Sequence, residues 1–79
     1  MDTPTPGFSF GMRLGCVRDD LEMTKTAMAK SLSISPSTLT SYENDNSFPS
    51  EETIQLFCKL YKVNYDWLFL NEGDMYINE

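Results

Sequence analysis

Two helix-capping residues, Thr24 and Ser35, lie eleven positions apart, and this spacing constrains the fold more than any other feature of the chain. Thr24 is a favourable N-cap for a helix of about eight residues that ends at Ser33. Ser35 is followed by Pro36 at the first helical position, where the missing N–H costs nothing and φ is already helical. The sequence therefore predicts two short consecutive helices.

The connection between these helices, Ser33 to Ser35, is so short that they must cross at a steep angle. We predict Ala29 as the small residue at the crossing and Ile34 as the apolar plug beneath the turn. The outer face of the second helix then carries short side chains and a helix N-terminus. Such a shape fits the major groove of DNA, with N–H groups aimed at phosphate.

Apolar residues at helical spacing predict three further helices. The first has its stripe at Phe10, Leu14, Val17 and Leu21. Ser50 caps a fourth helix and Asn64 a short fifth one. No β-type alternation of useful length appears, so the predicted fold is all-α, a compact bundle of five short helices. We assign residues 1–7 to a flexible lead-in, 8–76 to the domain and 77–79 to a tail.

The residue inventory argues against an enzyme. The chain has no histidine, which excludes a Ser-His-Asp triad, a Cys-His pair and histidine-ligated zinc. Cys16 and Cys58 each lie among apolar residues at helical spacing, which favours buried reduced thiols over a disulfide. The acids Asp19, Asp20 and Glu22 resemble a metal or acid-base site less than a solvated face. We expect no catalytic residue, metal, cofactor or small-molecule ligand.

No apolar run approaches the roughly 18 residues that a membrane-spanning helix needs. The N-terminus also lacks the basic and apolar regions of a signal peptide. We therefore expect a cytoplasmic protein with no membrane partner.

The stretch from Met23 to Asn44 carries a specific resemblance. It is similar, without a gap, to the helix-turn-helix pattern of the lambda-repressor-like domains, also called Cro/CI or XRE-type domains. The segments Pro49-Ser50, Lys62 to Leu68 and Gly73 to Tyr76 look like the family's fourth and fifth helices and closing tail. The resemblance covers about residues 9 to 76, and it implies a helix-turn-helix formed by helices two and three.

The resemblance also implies a DNA-binding surface on the first turn of helix two, on helix three and on the loop that follows it. The residues implied are Lys25, Pro36, Ser37, Thr38, Thr40, Ser41 and Asn44. To these we add Arg13, near the start of helix one, as a candidate for phosphate contact. The family pattern further implies a structural ion pair between Arg18 and Glu43.

The chain departs from the family pattern at three positions and in one loop, since Asp45-Asn46-Ser47 has no Lys or Arg. Lys25 replaces the usual glutamine and can neutralise a phosphate but reads bases less well. Pro36 occupies the leading readout position and cannot donate a hydrogen bond. Ser33 stands where the turn usually has glycine, and a left-handed backbone there would cost roughly 1–2 kcal/mol. Base reading then falls to hydroxyls, which discriminate poorly. The alternative is that these Ser and Thr residues, like Lys30, are only solvated surface.

Two functions remain for such a chain. The first is a sequence-specific transcriptional regulator of duplex DNA, a repressor of phage or mobile-element type, acting as a homodimer. The second is a degenerate helix-turn-helix domain that serves as a protein-protein interaction module. Apolar residues near the end either form the two-fold contact or pack back on the first helix. They are Phe69, Leu70, Met75, Tyr76 and Ile77.

The net charge of −6 and the pI near 4.4 argue against a partner as negative as DNA. The charge is unevenly distributed, however. Residues 1–23 carry −2, residues 24–47 carry zero and residues 48–79 carry −4. We therefore expect the acid to lie mostly off the DNA-facing side, and non-specific binding to be weak.

Overall fold

A computed structural model describes residues 9–77, and within this range the chain forms five α-helices and one isolated β-bridge. The helices are α1 (Phe10–Asp20), α2 (Lys25–Ser31), α3 (Pro36–Glu43), α4 (Glu51–Tyr61) and α5 (Tyr65–Leu70). The predicted all-α class is confirmed. The chain divides into two compact units, the first ending at Phe48 and the second beginning at Pro49. The predicted lead-in, residues 1–7, lies outside the described residues.

The four predicted N-caps are confirmed. The side chains of Thr24, Ser35, Ser50 and Asn64 each accept a backbone N–H from the first turn of the helix that follows. The helix that begins at Phe10 has a cap that was not predicted. Ser9 accepts the Met12 N–H there, and a serine between two phenylalanines carries little local signal for a helix start.

Each of the five helices is followed by a non-glycine residue with a left-handed backbone, with φ between 56° and 62°. These residues are Glu22, Ser33, Asp45, Lys62 and Asn71. After α1, α2 and α3 the left-handed residue donates its N–H to the carbonyl three positions back, and the next residue donates to the carbonyl five positions back. This is the Schellman pattern, which satisfies carbonyls at a helix end. It also ends α2 at Ser31, two residues before the predicted end at Ser33.

In the first unit, α3 contacts both α1 and α2. Gly11 of α1 lies so close to the end of α3 that an added Cβ would lie 2.5 Å from the Tyr42 carbonyl oxygen and 2.6 Å from that of Glu43. Gly15, one turn later, faces the Glu43 side chain. In this unit the glycines of α1 allow close contact between helices, whereas the left-handed positions at the helix ends are occupied by other residues. The buried apolar residues of the unit are Leu14, Val17, Met28, Ala29, Leu32 and Leu39.

The second unit buries the apolar stripe of α4, one face of α5 and the residue between them. Its buried apolar residues are Ile54, Phe57, Cys58, Val63, Trp67 and Leu68. The chain after α5 returns along the α4–α5 connection, where the Asn64 N–H donates to the Met75 carbonyl at 2.8 Å and the Ile77 N–H to the Lys62 carbonyl at 2.7 Å. Residue 77, assigned to the tail from the sequence, is thus hydrogen-bonded to this unit, whereas residues 78 and 79 lie outside the described range.

Both cysteines are free thiols. Cys58 is buried, and burial, with a smaller effect from Glu51, raises the pKa of its thiol to about 11. Cys16 is half-buried, which is less than predicted, and burial raises the pKa of this thiol as well. Among residues 9–77, no helix combines the length and the apolar character needed to cross a bilayer.

Candidate nucleic-acid interface

The α2–α3 corner is held by its backbone and by a buried small residue. The Ile34 N–H donates to the Ala29 carbonyl at 3.0 Å, and Ala29 is fully buried. The side chain predicted as the plug, Ile34, is only half-buried. Ser33 between them is left-handed with φ of 59°. Ser33 therefore has the left-handed backbone that strains a residue other than glycine, and the turn adopts this shape without the glycine that would relax it.

The N-terminus of α3 has little to offer a phosphate. Pro36 has no N–H, and the Ser35 hydroxyl accepts the Thr38 N–H at 3.1 Å. The Ser35 and Thr38 hydroxyls also share a hydrogen bond at 2.9 Å. The Thr38 hydroxyl is thus partly used inside the helix cap, which leaves less of it for a base edge.

Five of the predicted DNA-contacting residues lie on α3, Asn44 is the cap at its end, and Lys25 is the first residue of α2. Pro36, Ser37 and Asn44 are exposed, while Thr38, Thr40, Ser41 and Lys25 are half-buried. Leu39, in the middle of α3, is fully buried. The accessible side of α3 therefore carries short side chains, a surface that lets a helix approach a groove closely.

Arg13 is different from the other predicted residues because only 6% of it is exposed. Burial lowers the pKa of its guanidinium from the ordinary value, while the Asp45 carboxylate and Cys16 act in the opposite direction. A side chain with so little accessible surface presents almost no donor to an incoming phosphate. Burial in the first unit thus removes Arg13 from the candidate interface.

Arg18 and Glu43 lie together in a two-point ion pair. Arg18 Nε donates to Glu43 Oε2 at 2.8 Å and Nη2 to Oε1 at 3.2 Å, while Nη1 donates to the Met23 carbonyl at 3.1 Å. The side chains are only 17% and 9% exposed. The hydrogen bonds that Arg18 donates to Glu43 raise the pKa of its guanidinium. The weak energetics of an exposed pair do not apply here, because removing either partner would leave a poorly hydrated charge.

Asp45 is a residue of this region that the sequence pattern does not reveal. One of its carboxylate oxygens accepts the Gly11 N–H at 3.0 Å, and the other accepts the Ser9 hydroxyl. An aspartate directly after a helix is a local signal for a left-handed cap, since Asp tolerates that conformation. Its partners lie 34 and 36 positions away, and no local signal identifies them.

The two acids between residues 24 and 47 are therefore both bound by α1. Glu43 is held by Arg18, and Asp45 is held by the first turn of α1. The two lysines of the same segment, Lys25 and Lys30, form no ion pair with these acids. The segment has zero formal charge. Glu43 is neutralised by Arg18 of α1, whereas Asp45 accepts hydrogen bonds from uncharged groups and keeps its charge.

Comparison with known proteins agrees with this geometry. The helix-turn-helix domain family model matches residues 11–74, and the chain belongs to that family. The fold is similar to a crystal structure of the P22 c2 repressor protein in complex with synthetic operator 9T, with a TM-score of 0.76 and 20% sequence identity over 82% of this chain and 98% of that one. No curated protein matches the sequence significantly. The predicted helix-turn-helix fold is thus confirmed.

Proposed function

We propose that this protein is a sequence-specific DNA-binding transcriptional regulator, a repressor of phage or mobile-element type, that inserts α3 into the major groove. The observation that carries the proposal is the α2–α3 corner itself, a family helix-turn-helix in which the exposed residues of α3, Pro36 and Ser37, have short side chains. The P22 c2 repressor, which has a similar fold, was crystallised with a synthetic operator. Of the two acids in this region, Glu43 is neutralised by Arg18, and Asp45 is held at the first turn of α1.

Each accessible residue has a role in the proposed complex. Lys25 neutralises a phosphate, and Asn44 meets the sugar-phosphate backbone beside it. Ser37, Thr40 and Ser41 reach base edges with their hydroxyls, while Pro36 and Thr38 provide close contact. Because hydroxyls accept and donate, these contacts discriminate weakly.

The proposed regulator acts as a homodimer in the cytoplasm, with two copies of α3 in successive major grooves about 34 Å apart. It blocks a promoter by occupying it, without catalysis. The apolar side chains of Leu70 and Ile77 are 61% and 47% exposed, and they suit a two-fold contact.

The experiment is a selection of duplex DNA from random sequences at low ionic strength, followed by binding assays at increasing salt. We expect enrichment of a site with two related halves. Lys25→Ala should weaken binding and reduce the salt slope by about one. Lys59→Ala is the matched control, because it removes an exposed lysine on α4; it should leave the slope unchanged. A selection that enriches no duplex contradicts the proposal.

The scarcity of accessible cations favours a second candidate, a protein-interaction module with the same fold. Arg13 is buried and Arg18 is bound to Glu43. In the first unit this leaves Lys25 and Lys30 as the cations that can face a phosphate. If no duplex is enriched and Lys25→Glu changes no activity of the protein, the module replaces the regulator.

A further inference from the structure

We infer that Asp45 is a positioning residue for DNA binding, whose carboxylate fixes the loop 44–47 on the N-terminus of α1. This inference rests on the proposed function, in which Asn44 and this loop approach the DNA backbone. Asp45 itself is not assigned a contact with DNA. Its role is to set where the end of α3 lies relative to the rest of the first unit.

The backbone of the loop is shaped by α3. Asp45 is left-handed with φ of 62°, and its N–H donates to the Tyr42 carbonyl at 3.1 Å. The next N–H, that of Asn46, donates to the Ser41 carbonyl at 2.8 Å, and the Ser47 N–H to the same carbonyl at 3.3 Å. These bonds attach the loop to α3 but not to α1.

The carboxylate of Asp45 makes the connection to α1. Although the residue as a whole is exposed, both of its carboxylate oxygens accept hydrogen bonds, one from the Gly11 N–H and one from the Ser9 hydroxyl. Ser9 at the same time accepts the Met12 N–H. The carboxylate therefore extends the cap of α1, at the end of a helix that favours negative charge.

Close packing limits where this loop can go. Because Gly11 lies against the Tyr42 and Glu43 carbonyls, α1 and the end of α3 approach at backbone distance. Buried Arg13 is also near enough for the Asp45 charge to affect its pKa. Replacing the carboxylate by an amide would keep the size and the left-handed preference. It would also remove the charge and put an NH₂ group opposite one of the two donors.

The sign of the effect on DNA binding separates positioning from simple electrostatics. Removing an exposed acid from a DNA-facing surface normally strengthens binding, because a repulsion with phosphate is removed. If Asp45 positions the loop, its removal weakens binding to the selected site, since the loop and Asn44 lose their fixed place. Non-specific binding depends mainly on charge and does not require that place.

The test compares Asp45→Asn with the natural chain on the duplex obtained by selection and on an unrelated duplex. We expect Asp45→Asn to lower affinity for the selected duplex by about fivefold, a size typical of substitutions that act at a distance. Affinity for the unrelated duplex should stay the same or rise. Glu72→Gln, which neutralises an exposed acid of the second unit, is the charge-matched control and should leave the ratio of the two affinities unchanged.

A merely structural role is excluded with a variant of lower stability. Ile54→Val removes one buried methyl group in the second unit and should destabilise the fold without changing the ratio of the two affinities. If Asp45→Asn does not fold, Ser9→Gly removes one donor to the carboxylate, and glycine is tolerated as an N-cap. Ser9→Gly should lower the ratio in the same direction.

The outcomes are distinct. Equal or tighter binding of the selected duplex by Asp45→Asn, or by Ser9→Gly where the former does not fold, overturns the inference and leaves the proposed regulator intact. If the natural chain selects no duplex, the proposed function fails first, and the positioning role for DNA fails with it. The inference is established if Asp45→Asn lowers the ratio of the affinity for the selected duplex to that for the unrelated duplex, while Glu72→Gln and Ile54→Val leave this ratio unchanged.

Discussion

The two units of this protein differ in how some of their acidic residues are held. In the first unit, Glu43 ends α3 and Asp45 lies two residues later. Glu43 pairs with Arg18 of α1, and Asp45 accepts hydrogen bonds from Ser9 and Gly11 at the start of α1. In the second unit the described acids of α4, of α5 and of the segment after α5 are exposed, and Glu51 also accepts a hydrogen bond from Tyr65. Besides its apolar core, the first unit has polar contacts between residues 25 to 36 positions apart. The second unit combines an apolar stripe with backbone hydrogen bonds between the α4–α5 connection and residues 75–77.

This difference explains how an acidic protein has a surface suited to DNA. Net charge is a property of the whole chain, but a groove responds to the charge that faces it. Glu43 and Arg18 cancel each other's charge, whereas Asp45 keeps its charge and holds it at the first turn of α1. The unit with the helix-turn-helix has a formal charge of −2, and the second unit carries the larger share of the excess charge, −4.

The largest effect on stability is expected from a substitution in the apolar core of the second unit. Phe57 is 1% exposed and lies 5.5 Å from Tyr61 between ring centroids. Phe57→Ala should lower the free energy of unfolding by about 3–5 kcal/mol, because it removes buried area and leaves a cavity. Urea unfolding followed by the fluorescence of Trp67 measures it. Leu60→Ala on the same helix is the exposed control and should change stability by no more than about 0.5 kcal/mol.

The ion pair of the first unit should have the next largest effect. Glu43→Gln or Arg18→Met should each cost about 2–3 kcal/mol, because the partner keeps a charge in a poorly hydrated place. The double variant Arg18→Met with Glu43→Gln should cost less than the sum of the two single changes. Additive costs in a double-mutant cycle would show that the pair is not coupled and would erase the contrast between the units.

Two glycines of α1 offer a matched pair. Gly11→Ala should destabilise by about 2 kcal/mol, because the new Cβ overlaps two backbone carbonyl oxygens of α3. Gly15→Ala should be neutral or stabilise by up to about 1 kcal/mol, since its Cβ would lie 3.4 Å from Glu43 Oε1 and alanine favours the helix. Thermal unfolding of both variants measures the difference. Equal effects would mean that the close helix contact is not needed.

The left-handed turn of the helix-turn-helix should gain from glycine. Ser33 has φ of 59°, and Ser33→Gly should stabilise the protein by about 1 kcal/mol by relieving that strain. For a chain of this size the melting temperature should rise by about 4–8 °C. A melting temperature that falls would contradict the strain at Ser33. DNA binding should be unchanged, because the residue is not part of the proposed interface.

The two cysteines, one in each unit, should make the stability of the protein depend on pH to different extents. The folded protein keeps the Cys58 thiol protonated up to a pKa of about 11, whereas the unfolded chain loses this proton at the ordinary pKa of a thiol. The folded state then binds more protons, so stability is full below the ordinary pKa and falls as pH rises toward about 11. Cys58→Ala should show a shallower decline than the natural chain. Cys16 is only half-buried, so Cys16→Ala should change the pH dependence of stability less than Cys58→Ala does. An equal change in the two variants would contradict this expectation.

Local patterns determined the elements of this protein. Four helix starts are predicted correctly from their N-caps, because an N-cap bonds to N–H groups only two or three residues away. These caps are Thr24, Ser35 with Pro36 after it, Ser50 and Asn64. The all-α class and the helix-turn-helix follow from these caps and the apolar spacing. The free state of the two thiols also follows from their apolar neighbours.

The tertiary structure decided which polar residues face the solvent and which face α1. Arg13 and Lys25 are both cations near helix starts, yet Arg13 is buried and Lys25 is half-exposed. Asp45 has an ordinary loop sequence around it, and only the fold brings Ser9 and Gly11 to its carboxylate. The physical reason is range: caps and stripes act within one or two helical turns, whereas burial and hydrogen bonding of a charge depend on segments that meet only after the chain has folded.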